Sequence, residues 1–514
     1  MMTKKITGYI LLLTSVSFNA AFAQKVALEY PFKFSSNKFK TMDNAVNLLA
    51  EDGVYNLSMI IHDKKKADYI ELDKNLKIVS SFSLPAKQVS FSKYDIIGGE
   101  YNMQHVGSFA LPSSGIFNFV YSLQFHGNPA KESFMATTVD FNNKTVTDKE
   151  IIARDGKEIT LQSFSDDGHF YCVRANNKDE QLVFHLVDRE GKLTKKSVPF
   201  KVPDGKKKDR NSIAEYLGNA ALIKNNEEPD LEAGTADAKM YYNSNGIAFV
   251  VNDGASPTHL ILFDKNTLAL TETFINHSAE FPGTDKDKSE VNSYLFNDQI
   301  FSVIVNKSNL VVAMYGLDGA LINKQEINEG NMNTVLASSV EYEERNGKKV
   351  KEEQIDDFSK LLKALQKQTT GITVGTTIDK NYVLTIGTYE PIVRVSSSGS
   401  VGTTRFENHP GGGGSSLPAG NGTYANTYYT PGISSYSKSS NEFKKMSFRM
   451  MTDGKSFINK KSKNSKTLRD QIQDFIEGKS NSMRKQFAIG DKQYFGYYDF
   501  DTDAYYIELI PIKK

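Results

Sequence analysis

The sequence predicts an all-β protein, a seven-bladed β-propeller of four-stranded blades with three short helical insertions and one Gly/Tyr-rich loop insertion. Three observations lead there. A pattern of strand, turn, apolar strand, polar break, apolar strand, acidic turn and last strand returns seven times along the 514 residues. Each return spans roughly 50 to 80 residues and is strand-like throughout, as propeller blades are. The segments between turns, such as Val54 to Ile61 and Leu260 to Phe263, are rich in β-branched and aromatic residues.

The first element is a secretory signal over residues 1–23. Lys4 and Lys5 precede an apolar stretch around Tyr9-Ile10-Leu11-Leu12-Leu13, and Ala21-Phe22-Ala23 forms the exit before Gln24. The stretch is too short to span a bilayer and contains Thr14, Ser15 and Ser17. No later segment reaches the roughly 18 uninterrupted apolar residues of a membrane helix, so no integral membrane segment is expected. Residue 24 is not a cysteine, which removes N-terminal lipid attachment. Residues 24–514 are expected to form one exported domain in the periplasm, with peripheral outer-membrane association or secretion as the alternatives.

The blades follow from the turns. Second strands are expected to begin at Gly53, Gly115, Gly168, Gly246, Gln299, Tyr382 and Lys492, after turns such as Asp52-Gly53, Asp167-Gly168, Asn245-Gly246 and Asn297-Asp298. These pairs tolerate the positive φ of two-residue hairpins. A second set closes the outer hairpins: Asp73 to Asn75, Asp140 to Asn143, Asp188 to Gly191, Asp264 to Asn266, Leu317 to Gly319 and Asp453-Gly454. The last unit, with Gln486 to Ile489, Tyr494 to Phe500 and Tyr505 to Ile512, is one strand short. Val26 to Phe32 is expected to supply it and so cover the open edges.

The sharpest copy is Phe164-Ser165-Asp166-Asp167-Gly168, followed by the strand His169 to Val173. It resembles the bacterial WD40-like repeats of the TolB type, whose hallmark is Phe-Ser-Pro-Asp-Gly before a strand, with Asp166 in place of Pro. The other six units match in the position of turns and strands and not in letters. The resemblance implies a propeller and no specific activity.

Three insertions carry helical periodicity. Ser212-Ile213-Ala214-Glu215 has capping-box spacing and opens a segment with Ile213, Tyr216, Leu217 and Leu222. Ile355, Phe358, Leu361, Leu362 and Leu365 form a second apolar stripe, and Leu468, Ile472, Phe475 and Ile476 a third; such stripes pack on the body of a fold. The fourth insertion, 396–440, is almost uncharged and holds Gly411 to Gly414 with Tyr424, Tyr428, Tyr429 and Tyr436. Tyr set among Ser, Gly and Asn is the mixture of recognition loops, so these four are the candidate partner-binding residues. All four insertions fall at one end of the strands in an up-and-down blade.

Chemistry is sparse. Net charge is +1, which offers nothing to nucleic acid. Cys172 is the lone cysteine, so no internal disulfide or paired-Cys metal site forms, and it reads as a small buried apolar residue. Asp499, Asp501 and Asp503 alternate as in a calcium loop, but Ala504 and Ile510 stand where Gly and Glu are needed. Asp285, Asp287 and Glu290 form an acidic patch without further support. The eight histidines are scattered, and no Gly-x-Ser-x-Gly elbow exists. No metal and no cofactor are expected.

The leading expectation is a non-catalytic exported propeller that binds a protein or peptide partner as a component of a cell-envelope assembly. The alternative is an envelope hydrolase or lyase with acidic residues at the axial mouth. Mass spectrometry of the exported protein is expected to find Gln24 at its N-terminus and recovery without detergent. An intact Met1 or a membrane-embedded product would overturn the export assignment.

Overall fold

The computed structural model describes residues 26–34, 46–50, 56–63, 65–85, 101–125, 132–203, 211–218, 220–224, 227–242, 246–252, 257–277, 290–346, 349–392, 442–458, 466–480, 482–490 and 492–512. Its strands form seven sheets, five of four strands and two of five. Strand β1 (Val26–Pro31) comes first in the chain. The first sheet holds β2 (Val46–Ala50), β3 (Leu57–His62), β4 (Lys66–Leu72) and β5 (Ile78–Pro85). The second holds β6 (Tyr101–Ala110), β7 (Ile116–Phe125), β8 (Glu132–Asp140) and β9 (Thr145–Ile152), and the third β10 (Glu158–Asp166), β11 (His169–Asn176), β12 (Gln181–Val187) and β13 (Leu193–Pro199).

Helix α1 (Ile213–Leu217), β14 (Ala221–Lys224) and α2 (Leu231–Gly234) then lead into the fourth sheet. There β15 (Ala238–Tyr242), β16 (Gly246–Val251), β17 (Thr258–Asp264) and β18 (Leu270–Ile275) follow β14, which lies parallel to β15. The fifth sheet is β19 (Glu290–Phe296), β20 (Gln299–Val305), β21 (Leu310–Gly316) and β22 (Leu321–Ile327). After α3 (Met332–Val335) come β23 (Glu341–Asn346), β24 (Lys349–Gln354), α4 (Phe358–Lys367), β25 (Thr370–Thr376), β26 (Tyr382–Pro391) and β27 (Glu442–Thr452), whose strands make the sixth. Helix α5 (Leu468–Ile476) precedes β28 (Ser482–Ile489), β29 (Lys492–Asp499) and β30 (Ala504–Leu509) of the seventh, which β1 completes by pairing antiparallel with β30.

The turns place these strands where local chemistry demands. Asp167 and Gly168 sit at φ of +49° and +69°, and Asn297 and Asp298 at +46° and +58°. That is the mirror-image turn two-residue hairpins need. The outer hairpins share a second device. The Oδ1 of Asp73, Asp140, Asp188, Asp264, Asp318 and Asp453 each accepts one or two backbone N–H groups from two to four residues on, at 2.7 to 3.1 Å. Aspartate thus mimics a turn of backbone at each of these six turns. Second strands begin at or one residue after six of the expected positions, while Gly53 lies outside the described residues.

Each sheet buries both faces of its inner strands and exposes its outer one. In β3, Met59 and Ile61 pack toward the seventh sheet and Ile60 toward the second, as period-two alternation dictates. Apolar clusters join the seventh sheet to the first, the first to the second, the second to the third, the third to the fourth, and the fourth through the fifth to the sixth. Outer strands such as β13 and β22 are mostly exposed.

Pairing corrects three expectations. The fourth and sixth sheets have five strands rather than four. Leu222, grouped with the first helical insertion, lies on β14. In the sixth sheet the outer neighbour of β27 is β23, which comes earlier in the chain; after Asp453-Gly454 the described residues form a short return in which Phe457 bridges to Thr452 and the Ile458 N–H donates to the Met451 carbonyl at 2.8 Å. Charge explains the exchange, because Glu343 and Glu344 of β23 stand opposite Lys445 and Lys444 of β27.

β1 ties the two ends of the described chain together. Tyr498 donates its hydroxyl to the Phe32 carbonyl, Tyr30 donates to Asp68 of the first sheet at 3.1 Å, and the Phe32 ring is 1% exposed. Phe32→Ala is expected to cost about 3–5 kcal/mol, and deleting Val26 to Phe32 to leave β30 as an open edge. Urea unfolding of both variants checks this, and midpoints equal to the parent's would contradict the closing role of β1.

Candidate functional site: the arm of the sixth sheet and the seam at its foot

The sixth sheet is longer than its inner strand. β25 has seven residues, β26 ten and β27 eleven, so β26 and β27 run on together through Tyr389↔Lys445, Glu390↔Lys444 and Pro391↔Phe443. β23 pairs along this outer half of β27, and β24 folds back along β23. The result is a four-stranded arm beyond the inner strand. Tyr389 stacks on Phe443 at 5.4 Å, and the Arg345 guanidinium sits 5.5 Å over the Phe443 ring. Lys351 lies 5.8 Å over Tyr342, whose hydroxyl donates to Glu344 at 3.1 Å. β24 is exposed throughout and presents Lys349, Lys351, Glu352 and Glu353.

The 396–440 insertion leaves from this arm at Pro391 and returns at Glu442. Tyr424, Tyr428, Tyr429 and Tyr436 lie outside the described residues. The helical stripes fare as follows. Phe358, Leu361, Leu362 and Leu365 are buried on α4, and Ile472 and Ile476 on α5, but Leu468 in the first turn of α5 is 41% exposed. Asp499 and Asp501 form a hairpin turn, with the Asp501 N–H donating to Asp499, and Asp503 pairs with Lys33 at 3.5 Å. Asp285 and Asp287 lie outside the described residues, and Glu290 opens β19.

Beneath the arm is a charged seam that the sequence did not announce. The segment Glu227 to Asp237 joins β14 to β15 of the fourth sheet, passes the fifth sheet and packs α2 along β25 and β26. It is anchored on the way. Tyr294 donates to the Glu227 carbonyl at 2.6 Å, and Lys239 donates to the Ala236 carbonyl and to Asn292, both at 2.7 Å. The inner strand admits it because Gly371 and Gly375 have no side chain. A Cβ at Gly371 would lie 2.6 Å from the Thr235 nitrogen, and one at Gly375 would lie 2.1 Å from the Glu228 carboxylate.

Helix α5 closes the seam from the other side. Its N-cap Thr467 forms a capping box with Asp470, and Ile472 and Ile476 pack on Phe495 and Ile510 of the seventh sheet. Asp470 also accepts both Arg449 terminal nitrogens, at 2.7 and 2.6 Å, so one carboxylate ties α5 to β27. Arg469 donates to the Glu228 carbonyl at 3.2 Å. The junction of sixth and seventh sheets is therefore bridged by charge and helix, unlike the apolar junctions elsewhere.

Burial and charge tune the seam. Burial opposes ionisation of Asp470, yet the Arg449 guanidinium holds its carboxyl below the usual range. Burial pushes Glu228 up despite the Thr467 hydroxyl and Arg469. Burial, then the neighbouring Asp230, push Glu232 to about 7, with the Tyr389 hydroxyl opposing. Lys445 is lowered, first by burial. Lys239, fully buried, is pushed down to about 7 by desolvation.

A further cluster of titratable groups lies within the third sheet and reaches the second, where Arg174 donates to the Glu132 carbonyl at 3.1 Å. Glu158 accepts from His185 at 3.0 Å and from Lys195 at 2.6 Å, beside Arg174, which is 1% exposed. Cys172 is buried and free, its thiol pushed up to about 12 by burial, which fits a packing residue.

No protein-family model and no curated protein sequence matches this chain. Among solved structures, a prolyl endopeptidase is similar at 8% identity over 75% of this chain and 60% of its own, with a TM-score of 0.23. A protein from Lactobacillus plantarum is similar at 9% identity over 70% of this chain and 83% of its own, TM-score 0.24. A protein of unknown function from Dyadobacter fermentans is similar at 11% identity over 56% and 76%, TM-score 0.24. The chain spans less than two thirds of the prolyl endopeptidase. TM-scores this low carry no inference about fold or activity.

Asp470→Asn is expected to destabilise the protein by about 1.5 to 3 kcal/mol near neutral pH. The pair's contribution is present above the unfolded-state carboxylate range and is lost as pH falls through the lowered native value. Glu232 has the opposite sign. Its native value of about 7 against an ordinary 4.5 means the folded chain holds a proton the unfolded chain has released, so stability falls as pH rises across that window. Glu232→Gln is expected to flatten that slope and raise the melting temperature at about pH 8. Scanning calorimetry across this range checks both variants, and a lowered melting temperature for Glu232→Gln would contradict the burial argument.

Proposed function

We propose that the seven sheets close into a seven-bladed β-propeller of the WD40-like bacterial type. The protein is exported and acts without catalysis, binding a protein or peptide partner of a cell-envelope assembly through the arm of the sixth sheet. The observation that carries this reading is the arm itself. Four paired strands extend past the inner strand and hold both ends of a Tyr-rich, charge-poor insertion at one place. A plain linker needs no such mount. Ring closure is supported by the β1 to β30 pairing and by α5, which is packed against the seventh sheet and ion-paired to the sixth.

An envelope hydrolase or lyase is the second reading. In its favour stands Glu232, which titrates near neutrality as a general acid or base would. Against it, Asp230 is occupied in capping α2 through Ala233 at 3.1 Å, and Asp470 in holding Arg449.

Replacing 396–440 with a short Gly-Ser linker is expected to leave stability nearly unchanged, since loop closure costs only about 0.6 kcal/mol per doubling of length. Partner capture from envelope extract is expected to fall sharply, and changing Tyr424, Tyr428, Tyr429 and Tyr436 together to Ser is expected to reproduce the loss. Capture of the same partners in equal yield by the shortened protein would place recognition elsewhere.

A further inference from the structure

A cleft of about 300 Å³ opens between the fourth and fifth sheets, at the hairpin-turn end of the strands and opposite the end from which the 396–440 insertion departs. Its origin is a register effect. Tyr241, Ala248, Leu262 and Thr271 are paired in one row across the fourth sheet, facing the fifth. The next row inward carries Val250 and Leu260, both fully buried against the fifth sheet. Ala248 is too short to continue that contact, so the sheets part toward the turns and leave Leu262, Leu295 and Leu317 lining the gap.

The mouth is acidic. Asp264 and Asp298 both line it and both are exposed. The turn bonds of Asp264 all end on Oδ1, so Oδ2 takes no part in the turn. Asp298 is presented by a hairpin turn at φ +58°. The adjacent cation does not neutralise them. Lys265 turns to the third sheet, where it pairs with Asp166 at 3.3 Å and lies 5.6 Å over the Tyr171 ring. Lys196 reaches this turn only at the Asn266 carbonyl.

We propose that this cleft is a second recognition site, which takes one long basic side chain, arginine or lysine, from a peptide partner. The volume lies at the lower bound for ligand pockets, enough for a side chain and small for a cofactor. Long basic side chains bury their methylene stems on apolar surface while keeping the charged head in water, which matches an apolar floor under an acidic mouth. Tyr241, in the same row as Ala248, adds aromatic surface for a guanidinium. The site does not depend on the arm, because it lies at the other end of the sheets.

The test is a calorimetric titration of the exported full-length protein with Nα-acetyl-arginine methylamide and Nα-acetyl-lysine methylamide, with the citrulline and norleucine analogues as neutral counterparts. Saturable binding of at least one basic probe is expected, with its neutral counterpart weaker by about three- to five-fold, as for an exposed ion pair. Ala248→Leu, which fills the cleft, is expected to abolish binding. Asp298→Asn, which leaves the packing untouched, is expected to weaken the basic probe by a similar three- to five-fold factor, about that of one exposed charge pair. If Ala248→Leu fails to fold, Asp298→Asn alone decides. The 396–440 linker variant is expected to bind the probe as the parent does. No saturable binding, equal binding of the neutral analogues, or an unchanged affinity in Asp298→Asn would each overturn the proposal.

Discussion

Most of the sheets have two apolar faces on their inner strands, and no such sheet can bury both alone. That constraint organises the molecule. A single face can be covered by a helix or a second layer, but two faces require a neighbour on each side, each of which has the same need. Ile60 facing one way and Met59 with Ile61 the other is the smallest statement of it. The outer strands escape the constraint and are mostly polar, which keeps the periphery soluble.

The exception is instructive. Between the sixth and seventh sheets the apolar contact is replaced by a short segment lying on glycines, a capped helix and an Arg449–Asp470 pair. Apolar packing is indifferent to pH, whereas this junction holds carboxylates pushed in opposite directions, Asp470 down and Glu228 and Glu232 up. The junction that supports the arm is therefore one whose strength depends on proton concentration.

What could be read from the sequence was what local chemistry decides. The second strands after Gly115, Asp167-Gly168 and Asn297-Asp298 were legible because those residues accept positive φ, and the outer hairpins because aspartate caps its own turn. The capping box at Ser212 was legible for the same reason. β23 and β24 were not, because Glu and Lys in alternation on a strand exposed on both faces look like a loop until Lys444 and Lys445 are known to lie alongside. The seam was hidden more deeply. Glu228 and Arg449 are far apart in sequence, and Gly371 and Gly375 signal a close approach without naming what approaches.

The partnership of β1 with β30 sets the order in which this molecule can be finished. Phe32 and Tyr498, joined by a hydrogen bond, are 466 residues apart. At ribosomal speeds of about 5–20 residues per second, roughly 23 to 93 s separate the making of one from the making of the other. Throughout that interval the flank of the first sheet bearing Leu57, Met59 and Ile61 has no companion, since the sheet that covers it is the last to be synthesised. A nascent chain of this design carries a sticky flank from its first sheet to its last, and its biogenesis depends on keeping that flank from other chains until the final strand arrives.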